Sequence, residues 1–151
     1  MVSKPRVFLD SSVLIAGAAS PSGASRAILI LANAELITPI ASEQVLVESE
    51  CNIRDKLPRA LGYYQRVISN AGFEVVQDPS PEEIEAAKQI IHPKDAPILA
   101  AAMSTQVDYL VTLNHKHFLD DPAVASKSGL RIGLPSHFLA WFRAWAEGMG
   151  S

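Results

Sequence analysis

A lone carboxylate, Asp10, stands directly after an apolar run near the start of the chain. The run is Val7-Phe8-Leu9, and Ser11 and Ser12 follow the carboxylate. Residues of this kind favour a buried strand, and a carboxylate that is buried without a partner is costly. Asp10 is therefore expected at the carboxyl end of the strand, facing a cleft where a cation or hydrogen-bond donors meet it. The alternative interpretation, that Asp10 only caps a following turn or helix, stays open on this stretch alone.

Three more oxygen-bearing side chains stand near the ends or faces of predicted elements: Glu48, Asp95 and Asn114. Asn114 follows the apolar run 109–112, and Asp95 begins an alanine-rich helix that feeds this run. In open α/β sheets, ligands bind beyond the carboxyl ends of the strands, where the strand order reverses. If the first strand and the run 109–112 are neighbours, Asp10 and Asn114 meet there. Asp95 also has the form of an ordinary helix cap, and Glu48 that of a solvated helix face.

The elements that would position these side chains alternate between strands and helices. Strands are predicted at 7–9, 36–38, 73–76, 109–112 and 130–132, with Pro39 closing the second. Helices are predicted between them, among them a helix capped by Ser42, one over 58–71, one from a capping box at Ser80 to about Ile91, and a last one from Ser136. This alternation favours a parallel sheet covered by helices on both faces. We expect one domain over residues 1–147 and a flexible tail at 148–151.

The composition is that of an ordinary globular chain. Its 151 residues are 48% hydrophobic and 19% charged, with a net charge of −3 at pH 7. Proteins that hold nucleic acid by neutralising its phosphates are usually basic. A nucleic-acid role would therefore need local patches or a bound metal.

Cysteine content and apolar runs bear on the compartment. The single cysteine, Cys51, excludes an intrachain disulfide and is expected to be a small buried hydrophobe. Asp10 interrupts the apolar region that imitates a secretory signal, and no apolar run reaches the length of a bilayer span. We expect a cytoplasmic protein without a membrane partner.

Four short segments, taken in order, resemble the PIN-domain family, the metal-dependent nucleases that include the VapC-type toxins of bacterial toxin–antitoxin pairs. They are Asp-Ser-Ser at 10–12, Val-Leu-Val-Glu-Ser-Glu at 45–50, Asp-Ala-Pro-Ile-Leu-Ala-Ala-Ala at 95–102 and Asp-Tyr-Leu-Val-Thr-Leu-Asn at 108–114. The resemblance extends from Val7 to about Trp141. It implies a three-layer α/β/α fold with a central, mostly parallel sheet of four to five strands. It also implies an Mg²⁺- or Mn²⁺-dependent endoribonuclease that cuts RNA, forms a homodimer and is paired with a cognate antitoxin.

The resemblance assigns a role to each of six residues. It implies that Asp10, Glu48 and Asp95 are metal ligands at the first three acidic positions. It implies a neighbouring hydroxyl at Ser11 and Thr112. Asn114 takes the fourth acidic position, as an oxygen ligand. Clustered carboxylates repel one another and take up protons unless a cation is present. Mg²⁺ and Mn²⁺ prefer such hard oxygen ligands, and they lower the pKa of a bound water and stabilise charge on a phosphate.

Asn114 departs from the family pattern, because many members carry Asp at this position. An amide keeps the oxygen ligand but loses a charge, so a second metal ion should bind more weakly. Asp120 and Asp121, which follow shortly afterwards, are the candidates for a substitute carboxylate.

Several other interpretations remain. His115-Lys116-His117 lacks the further ligands of a zinc site and is read as a solvated or phosphate-contacting loop. Basic residues near Tyr63 and Tyr64 are either an RNA-facing strip or an ordinary helix face. A haloacid-dehalogenase-like phosphotransferase or a receiver domain also places an Asp after the first strand, but Ser12 stands where the former needs a second Asp, and the receiver's adjacent acidic pair is absent. The remaining rival is a PIN fold that binds a partner without cutting RNA.

Overall fold

The computed structural model describes residues 3–149 and contains one sheet of five parallel strands. The strands are β1 (Arg6–Leu9), β2 (Thr38–Ser42), β3 (Glu74–Val76), β4 (Tyr109–Val111) and β5 (Ile132–Gly133), in the spatial order β3-β2-β1-β4-β5. The order reverses between β1 and β4, and these two strands are neighbours, which is the condition under which Asp10 and Asn114 follow strands at the same edge.

Helices flank this sheet in a three-layer α/β/α arrangement, which confirms the predicted fold class. They are α1 (Ser11–Ala19), α2 (Ala24–Asn33), α3 (Glu43–Lys56), α4 (Leu61–Asn70), α5 (Pro81–Ala87), α6 (Ala96–Ser104), α7 (His115–Phe118), α8 (Ala123–Ser128) and α9 (Pro135–Met149), with short 3₁₀ turns at Pro58–Ala60 and Pro93–Asp95. Within residues 3–149, no single helix is long and apolar enough to span a membrane; α1 and α2 together satisfy length and composition, but they are bent by 94°.

The register of the two central strands sets the position of the site. Val7, Phe8 and Leu9 are fully buried in β1, and Leu9 lies opposite Val111 of β4. The backbone N–H of Asp10 donates to the carbonyl of Val111 at 3.1 Å. The residues that follow both strands therefore leave the sheet side by side at its carboxyl edge.

Several predicted helix ends are present. The Ser42 hydroxyl accepts from the backbone N–H of Val45 and caps α3, and Ser80 forms the full capping box with Glu83 at the start of α5. Gly72, with a φ of +73°, follows α4, a left-handed conformation that favours glycine.

Other boundaries differ from the predictions. Pro39 does not close a strand; it lies inside β2, which begins two residues later than predicted. The N–H of Thr38 donates to the carbonyl of Pro5 on the β1 side, so the nitrogen of Pro39 faces the β3 side. The pairing of β2 with β3 begins only at Ile40, which lies opposite Glu74. The missing N–H of Pro39 therefore interrupts no hydrogen bond of the sheet.

Three helices also differ in extent. The predicted helix 58–71 is divided into a 3₁₀ turn and α4, α5 ends at Ala87 before the predicted Ile91, and α9 begins at Pro135. Residues 148 and 149 continue α9, and residues 150 and 151 of the predicted tail lie outside the described residues.

Cys51 is exposed, so the expectation of a buried cysteine was wrong. The buried stripe of α3 is formed by Val45, Ser49 and Ile53, at a spacing of four residues. Cys51 lies between two of these positions along the helix and turns to the opposite side.

Candidate functional site

Asp10 lies at the carboxyl end of β1, only 8% exposed. Its Oδ1 accepts from the backbone N–H of Ser11 at 2.7 Å, as the N-cap of α1. Its Oδ2 accepts from the hydroxyls of Thr112 at 2.7 Å and Ser12 at 3.3 Å. Asp10 is therefore both a helix cap and a carboxylate held against the end of β4, the two interpretations that its sequence context left open.

The pKa of Asp10 is raised above its ordinary value. Burial is the main cause, and the negative charge of Glu48 acts in the same direction. Hydrogen bonds from Thr112, Ser11 and Ser12 oppose both effects without cancelling them. A buried carboxylate next to another acidic group fits a divalent cation, because a cation favours the charged form that burial disfavours.

Glu48 reaches this carboxylate through a hydroxyl. The Ser11 Oγ donates to Oε1 of Glu48 at 3.0 Å, so the first residue of α1 joins α3 to the end of β1. Ser49, next to Glu48, is fully buried and shares a hydrogen bond of 2.7 Å with the hydroxyl of Tyr64. This contact fixes the rotation of α3 about its axis and leaves Glu48 at the exposed rim.

Thr112 and Asn114 follow β4, and they differ in role. Thr112 is fully buried and connects the two strands through its hydrogen bond to Asp10. Asn114 donates its backbone N–H to the Thr112 hydroxyl at 3.0 Å, while its side-chain Oδ1 accepts from the backbone N–H of His117 at 3.4 Å. Asn114 is thus the N-cap of α7, and its amide oxygen is directed to a helix that the sequence did not predict.

Asp95 occupies the N-cap position of α6, but its side chain makes no capping hydrogen bond. Instead, Oδ2 of Asp95 contacts Nδ1 of His117, with 13% and 26% of the two side chains exposed. The ring of His92 stacks on that of His117, with centroids 4.5 Å apart and planes within 1°. The run 115–117, predicted as a solvated or phosphate-contacting loop, belongs to the helix α7, in which His115 is exposed as expected and His117 is half-buried.

The six predicted residues therefore fall into two groups that meet at Asn114. The first group is Asp10, Ser11, Glu48 and Thr112, and the second is Asp95 with the two histidines. In the part of the chain from 3 to 149, one set of His, Cys, Asp or Glu side chains has at least three ligand atoms all within 4.8 Å of one another: His92, Asp95 and His117. Asp10 and Glu48 do not belong to that set.

His92 was not identified from the sequence, and His117 was considered only together with His115. The spacing of His92 and Asp95 was the available signal, since residues i and i+3 of a 3₁₀ turn lie one above the other. His117 carried no local signal, because its contact with Asp95 spans 22 residues of sequence.

The two proposed substitute carboxylates have other partners. Oδ1 of Asp120 lies 3.5 Å from Nδ1 of His115, and Oδ1 of Asp121 accepts from the backbone N–H of Ala123 at 3.0 Å. The tyrosines of the predicted basic strip are also engaged, because Tyr64 is buried and the guanidinium of Arg26 covers the ring of Tyr63 at 3.7 Å.

Comparisons with known proteins agree with this architecture. The sequence model of the PIN domain matches residues 6–116. No curated protein sequence matches the chain significantly.

Similar solved structures include the Pyrobaculum aerophilum protein PAE2754, at 17% identity over 93% of this chain and 96% of that one, with a TM-score of 0.61. A DNA-bound VapBC from Salmonella typhimurium shares 20% identity over 87% of this chain and 98% of that one, with a TM-score of 0.58. Mycobacterium tuberculosis VapC20, a toxin that cleaves the sarcin-ricin loop, shares 15% identity over 69% and 86%, with a TM-score of 0.51. At these identities the likeness concerns the fold.

Proposed function

Because the chain belongs to the PIN domain family, whose members include nucleases, we propose that it is a metal-dependent endoribonuclease of the VapC toxin type. The observation that carries this proposal is Asp10, a buried carboxylate with a raised pKa at the switch point of the sheet. Thr112 fixes its orientation from β4, and Ser11 connects it to Glu48 of α3. Such an arrangement is costly for a protein to maintain unless the carboxylate has a positively charged ligand.

We assign Asp10, Glu48 and Asp95 as the residues that hold Mg²⁺ or Mn²⁺. The ion, when bound, would supply an activated water and stabilise negative charge on the scissile phosphate. Thr112 and Ser12 keep Oδ2 of Asp10 in position through their hydroxyls, and Ser11 keeps Glu48 close to the same edge. Asn114 positions the chain after β4 by capping α7.

Cleavage of RNA by the purified protein tests the proposal. We expect cleavage with Mg²⁺ or Mn²⁺ that EDTA abolishes. Asp10→Asn and Asp95→Asn should each lower the rate by at least about 100-fold, since each loses a charged ligand on which the metal chemistry depends. Asp55→Asn, at an exposed position near the end of α3, is the matched control and should cleave normally. Cleavage that survives EDTA, or full activity of the Asp10 or Asp95 variant, contradicts the proposal.

A partner follows from the toxin-type assignment. We propose a small cognate antitoxin protein, which the likeness to a VapBC structure supports. We also propose a homodimeric state and a cytoplasmic location. Co-expression with the product of a neighbouring open reading frame, followed by co-purification and a nuclease assay, tests the antitoxin. A bound product that lowers RNA cleavage supports it, and a neighbour that neither binds nor inhibits contradicts it.

A second candidate is a PIN fold that binds a partner without cutting RNA. Two observations favour it: Asp95 is paired with His117, and an amide stands at position 114. The same assay separates the two functions, because this candidate requires that no RNA is cut at any Mg²⁺ or Mn²⁺ concentration.

A further inference from the structure

The 3₁₀ turn at Pro93–Asp95 presents two potential metal ligands together. His92 is its N-cap and Asp95 its last residue, and Pro93 at the first position fixes the backbone. The backbone N–H of Lys94 donates to Nδ1 of His92 at 3.1 Å. An ion bound at this nitrogen would replace that hydrogen bond, because Nδ1 has a single lone pair.

The third member comes from a different part of the chain. His117 lies on α7, which Asn114 caps, directly after β4. Its Nδ1 contacts Oδ2 of Asp95, and its ring is parallel to that of His92. Two elements separated in sequence thereby bring two imidazoles and one carboxylate together, with their ligand atoms within 4.8 Å of one another.

Simple charge pairing does not account for this cluster. An ion pair would need only His117 and Asp95. The exposed ring of His92 adds a second nitrogen that the pair does not require, and the exposure leaves one side of the cluster open to solvent. An open side is what a site needs if water or a phosphate oxygen is to complete the coordination of an ion.

We propose that His92, Asp95 and His117 form a binding site for a borderline divalent transition metal of the Zn²⁺ class. Imidazole nitrogens suit Zn²⁺, whereas Mg²⁺ prefers oxygen ligands only. The site overlaps the proposed Mg²⁺ or Mn²⁺ site at Asp95 and differs from it by using His92 and His117 in place of Asp10 and Glu48. Zn²⁺ binding at these three residues does not require that the protein cuts RNA.

Isothermal titration of the full-length chain, stripped with EDTA, tests this site with Zn²⁺ alone and in a large excess of Mg²⁺. We expect one Zn²⁺ per chain, retained in the presence of Mg²⁺. Co²⁺ should give the visible absorption bands of an ion bound to nitrogen. His92→Ala and His117→Ala should each weaken Zn²⁺ binding by about tenfold or more, because even partners outside the ligand shell are worth that much.

His115→Ala is the matched control, since His115 belongs to the same short helix but is 66% exposed and lies beside Asp120. This variant should bind Zn²⁺ as the wild type does. Circular dichroism checks folding; if His117→Ala is unfolded, His92→Ala, which changes an exposed ring, decides the matter. The proposal is overturned if the wild type does not bind Zn²⁺. It is also overturned if His92→Ala binds Zn²⁺ as the wild type does, or if His115→Ala loses Zn²⁺ binding.

The Asp10→Asn variant separates this inference from the proposed nuclease function. We expect it to lose RNA cleavage and keep the Zn²⁺ site. If Zn²⁺ binding is lost together with cleavage, the ion sits among the carboxylates near Asp10 and the histidine site is wrong. If the wild type binds Zn²⁺ through the histidines but cuts no RNA, the nuclease proposal fails and this one stands.

Discussion

Asp10 is the residue at which burial and charge conflict most directly. Its folded-state pKa is raised by burial first and by Glu48 second, so the folded protein binds the carboxyl proton more tightly than the unfolded chain does. For a raised acidic pKa, the stabilising contribution is fully present below the unfolded value of 3.8 and is lost as the pH rises through the folded-state pKa. In the presence of EDTA, raising the pH therefore removes stability that the protonated Asp10 contributes at low pH.

This conflict predicts the behaviour of Asp10→Asn. In EDTA at pH 7 the variant should unfold at a higher urea concentration than the wild type, because the amide is neutral and the hydroxyls of Thr112 and Ser12 can reorient to match it. The difference should shrink as the pH falls towards 4. Asp55→Asn is the control for a general effect of charge. A variant that is less stable than the wild type at pH 7 in EDTA, with the control unchanged, contradicts this account.

Asn114→Asp tests the position at which the chain departs from the family pattern. An Asp caps a helix as well as an Asn does, so α7 and His117 should be retained. The added charge should tighten Mn²⁺ binding by about tenfold: at an effective dielectric constant of 20, a charge pair about 4 Å apart is worth roughly 4 kcal/mol, and desolvation offsets most of that. Titration calorimetry measures the change, with Asn70→Asp, at the exposed end of α4, as the control. Equal Mn²⁺ affinity in the Asn114 variant and the wild type would show that this side chain is too far from the metal to matter.

For single residues, the position of the polar side chains at the sheet edge was easier to predict from the sequence than the side chains that each of them contacts. The end of β1 and the end of β4 could be placed together from the sequence, because parallel strands share one carboxyl edge and the side chains there are polar. The pairing of Asp95 with His117 could not, since it depends on a four-residue helix whose formation rests on one cap at Asn114. No hydrophobic periodicity identifies so short an element.

Among the elements, α1 and α2 pack most closely at Gly17. A Cβ atom at this position would lie 2.6 Å from Cδ1 of Leu29 and 3.1 Å from the carbonyl of Ser25. Both α1 and α2 are held at this place by Arg26, whose guanidinium donates to the carbonyls of Gly17 and Ala18. A side chain at this position would therefore displace Leu29, which is buried.

Gly17→Ala should consequently lower the free energy of unfolding by about 1–3 kcal/mol, the usual cost of overpacking. Because Asp10 caps α1 and Ser11 is its first residue, the variant should also weaken metal binding. Gly62→Ala is the matched control: a Cβ there meets only Nη1 of Arg66 at 3.4 Å, and alanine is favoured in a helix by up to about 1 kcal/mol. Urea denaturation measures both. If Gly17→Ala and the wild type have the same free energy of unfolding, α1 and α2 can move apart without loss of stability.

Element boundaries followed from the sequence where a side chain defines them. Ser42 and Ser80 cap their helices as predicted because a hydroxyl meets a free backbone N–H locally. Pro39 could not be placed, because its tolerance inside β2 depends on where β3 begins. The extent of β2 thus depends on its pairing with β3, which the local sequence does not determine.

For the whole molecule, the alternation of strands and helices was sufficient to predict the layered parallel sheet. The positions of the helices follow from the need to cover both faces of strands as apolar as β1 and β4. The organisation as one domain over residues 1–147 remains a prediction, as do the assigned site residues.

The proposed homodimer is a prediction at the same scale. Large apolar side chains are exposed on separate elements, with Ile30 of α2 at 57% and Val47 of α3 at 64%. Single exposed apolar residues are normal on a monomer, so a dimer interface needs a larger patch, and these two side chains are the most exposed large apolar residues of the described chain at which to test it. Light scattering at micromolar concentration should give about twice the chain mass of 16.3 kDa.

Ile30→Asp or Val47→Asp should shift the mass towards the monomer, because a buried unpaired charge opposes association. Asp55→Asn is the control and should remain dimeric. A mass of one chain throughout the micromolar range contradicts the dimer, and a dimer unaffected by either substitution excludes both of these faces as its interface.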